Sequence, residues 1–146
     1  MALLVPDGRV VVAGNTWDFN PGNRVDDKTV EVFSPAYLFR GPRPSITQAP
    51  GQVGYAIDFE IETPQAQTIE SVMLIRLTSV THTNNMDQRA VGFAIVQKDP
   101  KRPTVLKVRS PANATIAPPG YYLLFIVTGR ALSDRIPSEG RFIRIG

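Results

Sequence analysis

The amino-acid sequence predicts an all-β protein whose main part is an immunoglobulin-like β-sandwich. No stretch shows sustained helical periodicity, and 13 prolines and 11 glycines supply many turns. Six β-branched or aromatic runs follow one another at the short spacing typical of a sandwich, with a small barrel as the alternative architecture. These runs are YAIDFEIET, ESVMLIRLTSV, AVGFAIVQKD, TVLKVRSP, YYLLFIVTG and GRFIRI.

The N-terminal residues predict a separate small sheet. Residues 2–5 and 9–13 are rich in aliphatic side chains and are joined by Pro-Asp-Gly, which favours a tight turn, so they predict a hairpin. The later run TVEVF alternates apolar and polar side chains like a half-buried strand and completes three strands. Three short strands leave a free edge and an uncovered apolar face, so we expect this sheet to belong to something larger.

A proline-rich segment separates this sheet from the sandwich. Residues 34–50 include Pro35, Pro42, Pro44 and Pro50, with AYLF between the first two, which predicts an extended, turn-rich connector. We place the boundary near Pro35. This gives a small sheet at 1–35 and a sandwich domain at 36–146.

Two runs of the sandwich have informative side-chain patterns. In YAIDFEIE the apolar residues Tyr55, Ile57, Phe59 and Ile61 share one face and acidic residues share the other. APPGYYLLFIV joins a rigid Pro-Pro-Gly turn to a nearly continuous apolar run, which predicts a central core strand. Because adjacent strand residues point to opposite faces, at most one tyrosine of its Tyr-Tyr pair could offer an aromatic face to a sugar. The charged segment 129–140 that follows has no predicted role.

Composition and charge exclude several classes of protein. The formal net charge is +3, but the arginines are scattered one at a time, so nucleic-acid binding is not predicted. The absence of cysteine excludes disulfides, a thiol nucleophile and a thiolate metal site. The longest apolar runs have strand length, far short of the roughly 20 residues that span a bilayer, and no targeting signal can be read. Asn113 opens an Asn-Ala-Thr glycosylation sequon, and the sole tryptophan, Trp17, lies in an N-terminal loop.

The only histidine, His82, lies where an apolar strand runs into a polar loop, within TSVTHTNNMDQR. A histidine in such a place serves as a structural residue, a metal ligand or a general base. No nucleophile elbow such as GxSxG surrounds it. Asn84, Asn85 and Asp87 are residue types with which a loop bonds its own backbone, and one aspartate cannot hold calcium by itself. The residues alone favour a structural histidine and leave metal ligation open.

Four segments together resemble the copper radical oxidases, the family that includes galactose oxidase and glyoxal oxidase. LLVPDGRVVVAGN is similar to the last propeller blade, and VEVFSPAYLF to the strand and crossover that leave it. LIRLTSVTHTNNMDQR and APPGYYLLFIV are similar to the C-terminal all-β domain. The resemblance spans almost the whole chain. It implies an immunoglobulin-like, early-set β-sandwich preceded by a small antiparallel sheet from a kelch-type propeller blade.

In that family a loop of the C-terminal domain enters the central channel of a seven-bladed propeller, and its histidine binds copper. The resemblance therefore implies that His82 is a copper ligand and that Asn85, Asp87 and Arg89 support its loop. One imidazole is enough if the family's other ligands, two tyrosines and a histidine, come from another part of the polypeptide, because Cu(II) accepts imidazole and phenolate in a tetragonal site. The family's cofactor includes a tyrosine cross-linked to a cysteine, so it cannot form within this cysteine-free chain.

The sequence leaves two functions open. The first is an accessory domain of a copper oxidase that oxidises primary alcohols or aldehydes with O2 to give hydrogen peroxide. Such a domain is inactive alone, its partner is the propeller of the parent polypeptide, and the substrate mainly contacts that propeller. The second is a non-catalytic module that binds carbohydrate or a protein partner through its loops. Because the sequence begins in mid-blade, we expect a piece of a longer protein rather than a freestanding relative, and the resemblance implies an extracellular or cell-surface location.

Overall fold

A computed structural model describes residues 1–14, 29–82 and 84–146 of the chain; Trp17 therefore lies outside the described residues. Strands dominate these ranges, and their only helical segments are two 3-10 turns, Ala36–Phe39 and Ala66–Thr68. Within the same ranges no helix combines the length and the apolar character that crossing a membrane requires. The predicted all-β class is confirmed.

The N-terminal sheet contains three antiparallel strands in the order β1-β2-β3: β1 (Ala2–Leu4), β2 (Val10–Ala13) and β3 (Val30–Phe33). The turn between β1 and β2 is closed by hydrogen bonds from Val5 N to Arg9 O (3.0 Å) and from Gly8 N to Val5 O (2.9 Å). Gly8 has a φ of +89°, which glycine adopts without steric cost. The predicted hairpin and small sheet are confirmed.

The apolar side chains of β3 are exposed rather than half-buried. Val30, Val32 and Phe33 have exposed fractions of 64, 51 and 61%. The three short strands pair only with one another, and among the described residues no further strand joins their sheet. The sequence-based prediction of burial is wrong for β3, because the alternating pattern marks an apolar face but does not supply the layer that covers it.

The connector is less extended than its prolines predict. Residues 36–39, AYLF, form a 3-10 turn in which Leu38 N donates to Pro35 O at 3.0 Å. No proline lies within AYLF, so its amides can form bonds of this i to i+3 type. The turn agrees with the prediction of a turn-rich connector, and only the predicted extended conformation is wrong for these four residues.

The rest of the chain forms the sandwich. Its main strands are β4 (Gln52–Val53), β5 (Asp58–Glu62), β6 (Ile69–Arg76), β9 (Ala90–Lys98), β10 (Val105–Arg109), β11 (Gly120–Thr128), β12 (Ile136–Pro137) and β13 (Arg141–Ile145). A two-stranded hairpin of β7 (Val80–Thr81) and β8 (Asn84–Asn85) lies between β6 and β9. Hydrogen-bonded neighbours follow the order β4-β13-β11-β6-β9-β10-β5, and β12 also pairs with β11.

Strand β9 connects the two layers. Its first half pairs with β6, so that Phe93 lies opposite Val72, and its second half pairs with β10, so that Ala94 lies opposite Arg109. This change of partner within one strand folds the long sheet into a sandwich, with the apolar side chains of both halves facing inward.

The core lies between these layers and centres on β11. Tyr122, Leu124 and Ile126 of β11 face the same apolar cluster as Ile61 of β5 and Leu106 of β10. β11 has β13 and β6 as neighbours, so the predicted central strand is confirmed. The alternation predicted for residues 55–61 holds for Phe59 and Ile61, whereas Ile57 precedes β5 and is exposed.

The small sheet is attached to the sandwich through its first turn. Three consecutive carbonyls of that turn accept hydrogen bonds: Pro6 O from Gly140 N (2.7 Å), Asp7 O from Arg43 Nη1 (2.6 Å) and Gly8 O from Tyr37 Oη (2.5 Å). The Arg43 guanidinium also donates to the carbonyls of Pro137 and Ser138. The segment 129–140 therefore has a structural role that the sequence analysis did not assign: it joins the small sheet to the edge of β11.

Candidate functional site

His82 lies at the tip of the β7–β8 hairpin. Val80 pairs with Asn85 and Thr81 with Asn84, so two residues, at positions 82 and 83, connect the strands. His82 is exposed and has a φ of +51°. Two-residue hairpin turns favour a positive φ at their first position, and histidine adopts this region more readily than most residues. The hairpin thus presents an imidazole at its tip in a backbone conformation that carries some strain.

The Nδ1 atom of His82 lies 2.8 Å from Thr81 Oγ1. The tautomer decides which of the two atoms donates. When Nδ1 carries the proton and donates to the Thr81 hydroxyl, the lone pair lies on Nε2, the nitrogen that then coordinates a metal. The contact also restricts rotation of the ring, so the geometry suits one ligand position of a metal site.

Asn85 holds the two limbs of the loop together. Its side-chain Oδ1 accepts hydrogen bonds from Ser79 N and Asp87 N, both at 3.1 Å, and Met86 N donates to Ser79 O at 2.9 Å. These contacts are the side-chain to backbone bonds expected of a shaped asparagine-rich loop. Asn84, in contrast, lies exposed on β8.

The Asp87 carboxylate lies in an ion pair and not in the backbone-bonding turn expected of it. The Asp87 carboxylate pairs with Arg76, with 3.1 Å between Oδ1 and Nε. The backbone carbonyl of Arg89 accepts a hydrogen bond from Arg76 N at 2.9 Å, and β9 begins at the next residue, Ala90. The chain therefore rejoins the sheet at the Arg89 carbonyl, and Gln88 remains outside the strand.

Arg76 is the residue of this site that the sequence analysis missed. Its Nη1 donates to Pro118 O (2.9 Å), Pro119 O (3.3 Å) and Tyr122 Oη (3.1 Å), and the guanidinium carbon lies 5.4 Å from the centre of the Tyr122 ring. The hydrogen bond with Tyr122 is the main reason that the pKa of Arg76 is raised above its ordinary value. Sequence spacing gives no signal for contacts across more than 40 positions. The only sequence signal for Arg76 is its position in LIR, directly before the loop.

The described residues offer one ligand rather than a complete metal site. In residues 1–14, 29–82 and 84–146, no three His, Cys, Asp or Glu side chains are grouped closely enough to hold a metal ion. A Cu(II) ion bound at His82 would need its other ligands from outside these residues.

The two tyrosines of β11 face opposite sides, as predicted. Tyr122 is fully buried, whereas Tyr121 is 58% exposed. Of these two tyrosines, only Tyr121 could therefore offer its ring to a ligand. A surface cleft of about 720 Å³ lies elsewhere, between residues 43–46 and 139–142, and includes no residue of the His82 loop.

Comparison with known proteins identifies the family. The family described as "Galactose oxidase-like, Early set domain" matches residues 43–145, which include the loop and nearly the whole sandwich. This chain belongs to that family. The galactose oxidase-like domain is 33% identical over 161 aligned residues to "Aldehyde oxidase GLOX1" of Arabidopsis thaliana. It is 29% identical over 155 residues to "Aldehyde oxidase GLOX" of Vitis pseudoreticulata.

A solved structure shares the same architecture. The protein described as "Novel fungal alcohol oxidase with catalytic diversity among the AA5 family, in complex with copper" superposes with a TM-score of 0.81 at 25% identity and covers 99% of this chain. The expected family and early-set sandwich are thereby confirmed. The galactose oxidase-like chain spans 25 and 29% of the length of the two plant relatives and 30% of the fungal chain.

Proposed function

We propose that this chain is the C-terminal domain of a copper-dependent oxidase and that His82 is one of the copper ligands. The observation that carries the proposal is the placement of His82 at the tip of a hydrogen-bonded hairpin with a positive φ. Proteins retain such strain where function requires a fixed geometry, and a ligand position is such a case. Together with a cross-linked tyrosine, bound copper would supply the two-electron oxidation of a primary alcohol or aldehyde, with O2 reduced to hydrogen peroxide.

The protein's own contribution is orientation of the imidazole. The Thr81 hydroxyl contacts Nδ1, and Asn85 fixes both limbs of the hairpin, so a ligand nitrogen at the tip keeps its direction. The remaining ligands and the cross-linked cofactor come from the propeller. The chain alone accordingly lacks oxidase activity.

The exposed face of the small sheet fits a propeller partner within the same polypeptide. Val30 and Val32 point to the same face of β3 and are 64 and 51% exposed, so that face is apolar and open to a covering layer. Residues 1–35 are then the end of the last propeller blade and the crossover, and the sandwich begins after them. We place the parent protein outside the cell or at its surface, in keeping with the family resemblance.

The experiment replaces His82 in the full-length parent protein. His82→Asn is the main variant, because asparagine tolerates a positive φ and removes the imidazole without straining the turn. We expect copper content to fall and hydrogen peroxide production to drop by more than about a hundredfold, with an unchanged thermal melt. Gln97→Ala, at an exposed position of β9, is the control and should behave as the wild type. Normal copper loading together with normal turnover in His82→Asn would refute the proposal.

A second candidate function rests on Tyr121. Its 58% exposed ring could stack on a sugar, which would make the domain a carbohydrate-binding module. Titration calorimetry with soluble oligosaccharides tests this function in the 146-residue chain. Binding that Tyr121→Ala abolishes would support it, and no heat at millimolar sugar would exclude it.

A further inference from the structure

The excursion that carries His82 is closed at its base by Arg76. Arg76 is the last residue of β6, and its backbone N–H donates to Arg89 O at 2.9 Å, just before β9 begins at Ala90. The twelve residues 77–88 thus leave and rejoin the sheet at neighbouring positions. A loop of this length has many accessible conformations unless side chains fix it.

The Arg76 side chain links the returning limb of the loop to the core. Its Nε contacts the Asp87 carboxylate at 3.1 Å, while its Nη1 donates to the carbonyls of Pro118 and Pro119 and to the hydroxyl of Tyr122. The side chain is only 19% exposed. Tyr122 is fully buried and donates in turn to Pro118 O at 2.6 Å. One guanidinium therefore joins the loop to the turn before β11 and to the centre of the sandwich.

We propose that Arg76 is a positioning residue for His82. The proposal rests on the function proposed above, in which His82 is a copper ligand. A continuous series of contacts runs from the core through Arg76 to Asp87, then through Asn85 to Ser79 and the hairpin whose tip is His82. The direction of the imidazole is thereby set by the sandwich and not by the hairpin alone.

The chemistry requires a guanidinium at this position. Arg76 uses two nitrogens at an angle, one toward the carboxylate and one toward carbonyl and hydroxyl oxygens, whereas the single ammonium of a lysine cannot reach both sets in a fixed plane. Gly120 lies beside the guanidinium on its other side, at ordinary van der Waals distance. Gly120 has a φ of +140°, and a Cβ there would lie 3.4 Å from Nη2.

The test measures the loop in this chain without copper. Arg76→Lys keeps the positive charge and removes the planar guanidinium. Arg102→Lys is the matched control, because Arg102 also donates two hydrogen bonds to one carboxylate, that of Glu60, which lies outside the His82 loop. We expect amide hydrogen exchange at Asn85, Met86 and Asp87 to rise at least about tenfold in Arg76→Lys and not in the control. Exchange in the centre of β11 should not change. Equal exchange in the two variants would overturn the proposal.

Two further measurements separate the possible failures. If Arg76→Lys does not fold, Asp87→Asn removes the charge at the loop end of the link while leaving the contacts of Arg76 with the core, and the same rise in exchange is expected at Asn85 and Met86. In the full-length oxidase, Arg76→Lys should alter the Cu(II) electron paramagnetic resonance spectrum and lower kcat more than it changes KM. A His82→Asn variant with normal copper loading and normal turnover would sink the copper assignment, while unchanged amide exchange in Arg76→Lys would sink only the role of Arg76.

Discussion

Removal of the Asn85 side-chain amide should open the His82 loop without unfolding the sandwich. Asn85 Oδ1 accepts from Ser79 N and Asp87 N, each at 3.1 Å, and Asn85→Ala removes both bonds. Each neutral hydrogen bond contributes about 1 kcal/mol net, so the opening free energy of the loop should fall by about 2 kcal/mol. That difference corresponds to about a thirtyfold larger opening constant at 25 °C.

The assay is residue-resolved amide hydrogen exchange on the 146-residue chain. The Ser79 and Asp87 amides should exchange about thirtyfold faster in Asn85→Ala, while the amides of Leu124 and Ile126 keep their wild-type rates. The melting temperature should fall by no more than about 6 °C, the shift that 2 kcal/mol would cause if the whole domain felt it. Asn85→Asp is the matched control, because a carboxylate oxygen can still accept both bonds. Equal exchange in the alanine and aspartate variants would refute the reasoning.

Three other changes test the packing of the sandwich and the attachment of the small sheet. Ser138→Ala leaves the buried amide of Ile126 in β11 without its acceptor. It should lower the free energy of unfolding by about 2 kcal/mol and the melting temperature by about 6 °C. Ser133→Ala, at an exposed position, is the control and should change the free energy of unfolding by no more than about 0.5 kcal/mol. Gly129→Ala would place a Cβ 2.4 Å from the backbone oxygen of Asp134 at a φ of +83°. Chemical denaturation should show a free energy of unfolding lower by about 3 kcal/mol. Gly51→Ala is the control, because a Cβ at Gly51 has no heavy atom within 4 Å. Burial raises the pKa of Tyr37 above 10.0, so the neutral side chain stabilises the fold fully below pH 10 and progressively less above it. The melting temperatures of the wild type and Tyr37→Phe should therefore converge above pH 10. A difference between them that grows with pH would contradict the expected direction of the effect.

The local chemistry of the sequence predicts most of the strands. Pro-Asp-Gly between two aliphatic runs predicts the first hairpin, and the alternation that ends at Ile61 predicts a strand with one buried face. These signals are local because turn residues and side-chain period act over a few positions. The polar run after His82 likewise predicts a shaped loop, and Asn85 makes the backbone contacts of such a loop.

The features that the sequence does not predict depend on contacts between residues far apart in the sequence. Arg76 is an unremarkable strand-end arginine in the sequence, and its role requires the register that brings Pro118 and Tyr122 beside it. The exposure of Phe33 has a similar cause, since an apolar pattern cannot tell whether the covering layer belongs to the same domain. Tyr37, within the 3-10 turn at 36–39, donates a hydrogen bond to Gly8 O, and no local pattern encodes that contact.

The attachment of the small sheet also orders events during synthesis. The carbonyls of Pro6, Asp7 and Gly8 bond to Gly140, Arg43 and Tyr37, so the last of these donors leaves the ribosome about 130 residues after its acceptor. At ordinary translation speed the first hairpin therefore waits roughly ten seconds before its attachment can be completed. A hairpin held by only part of its contacts is marginally stable and presents open strand edges. Slower translation near the end of the sandwich would lengthen the time before Gly140 can complete this attachment.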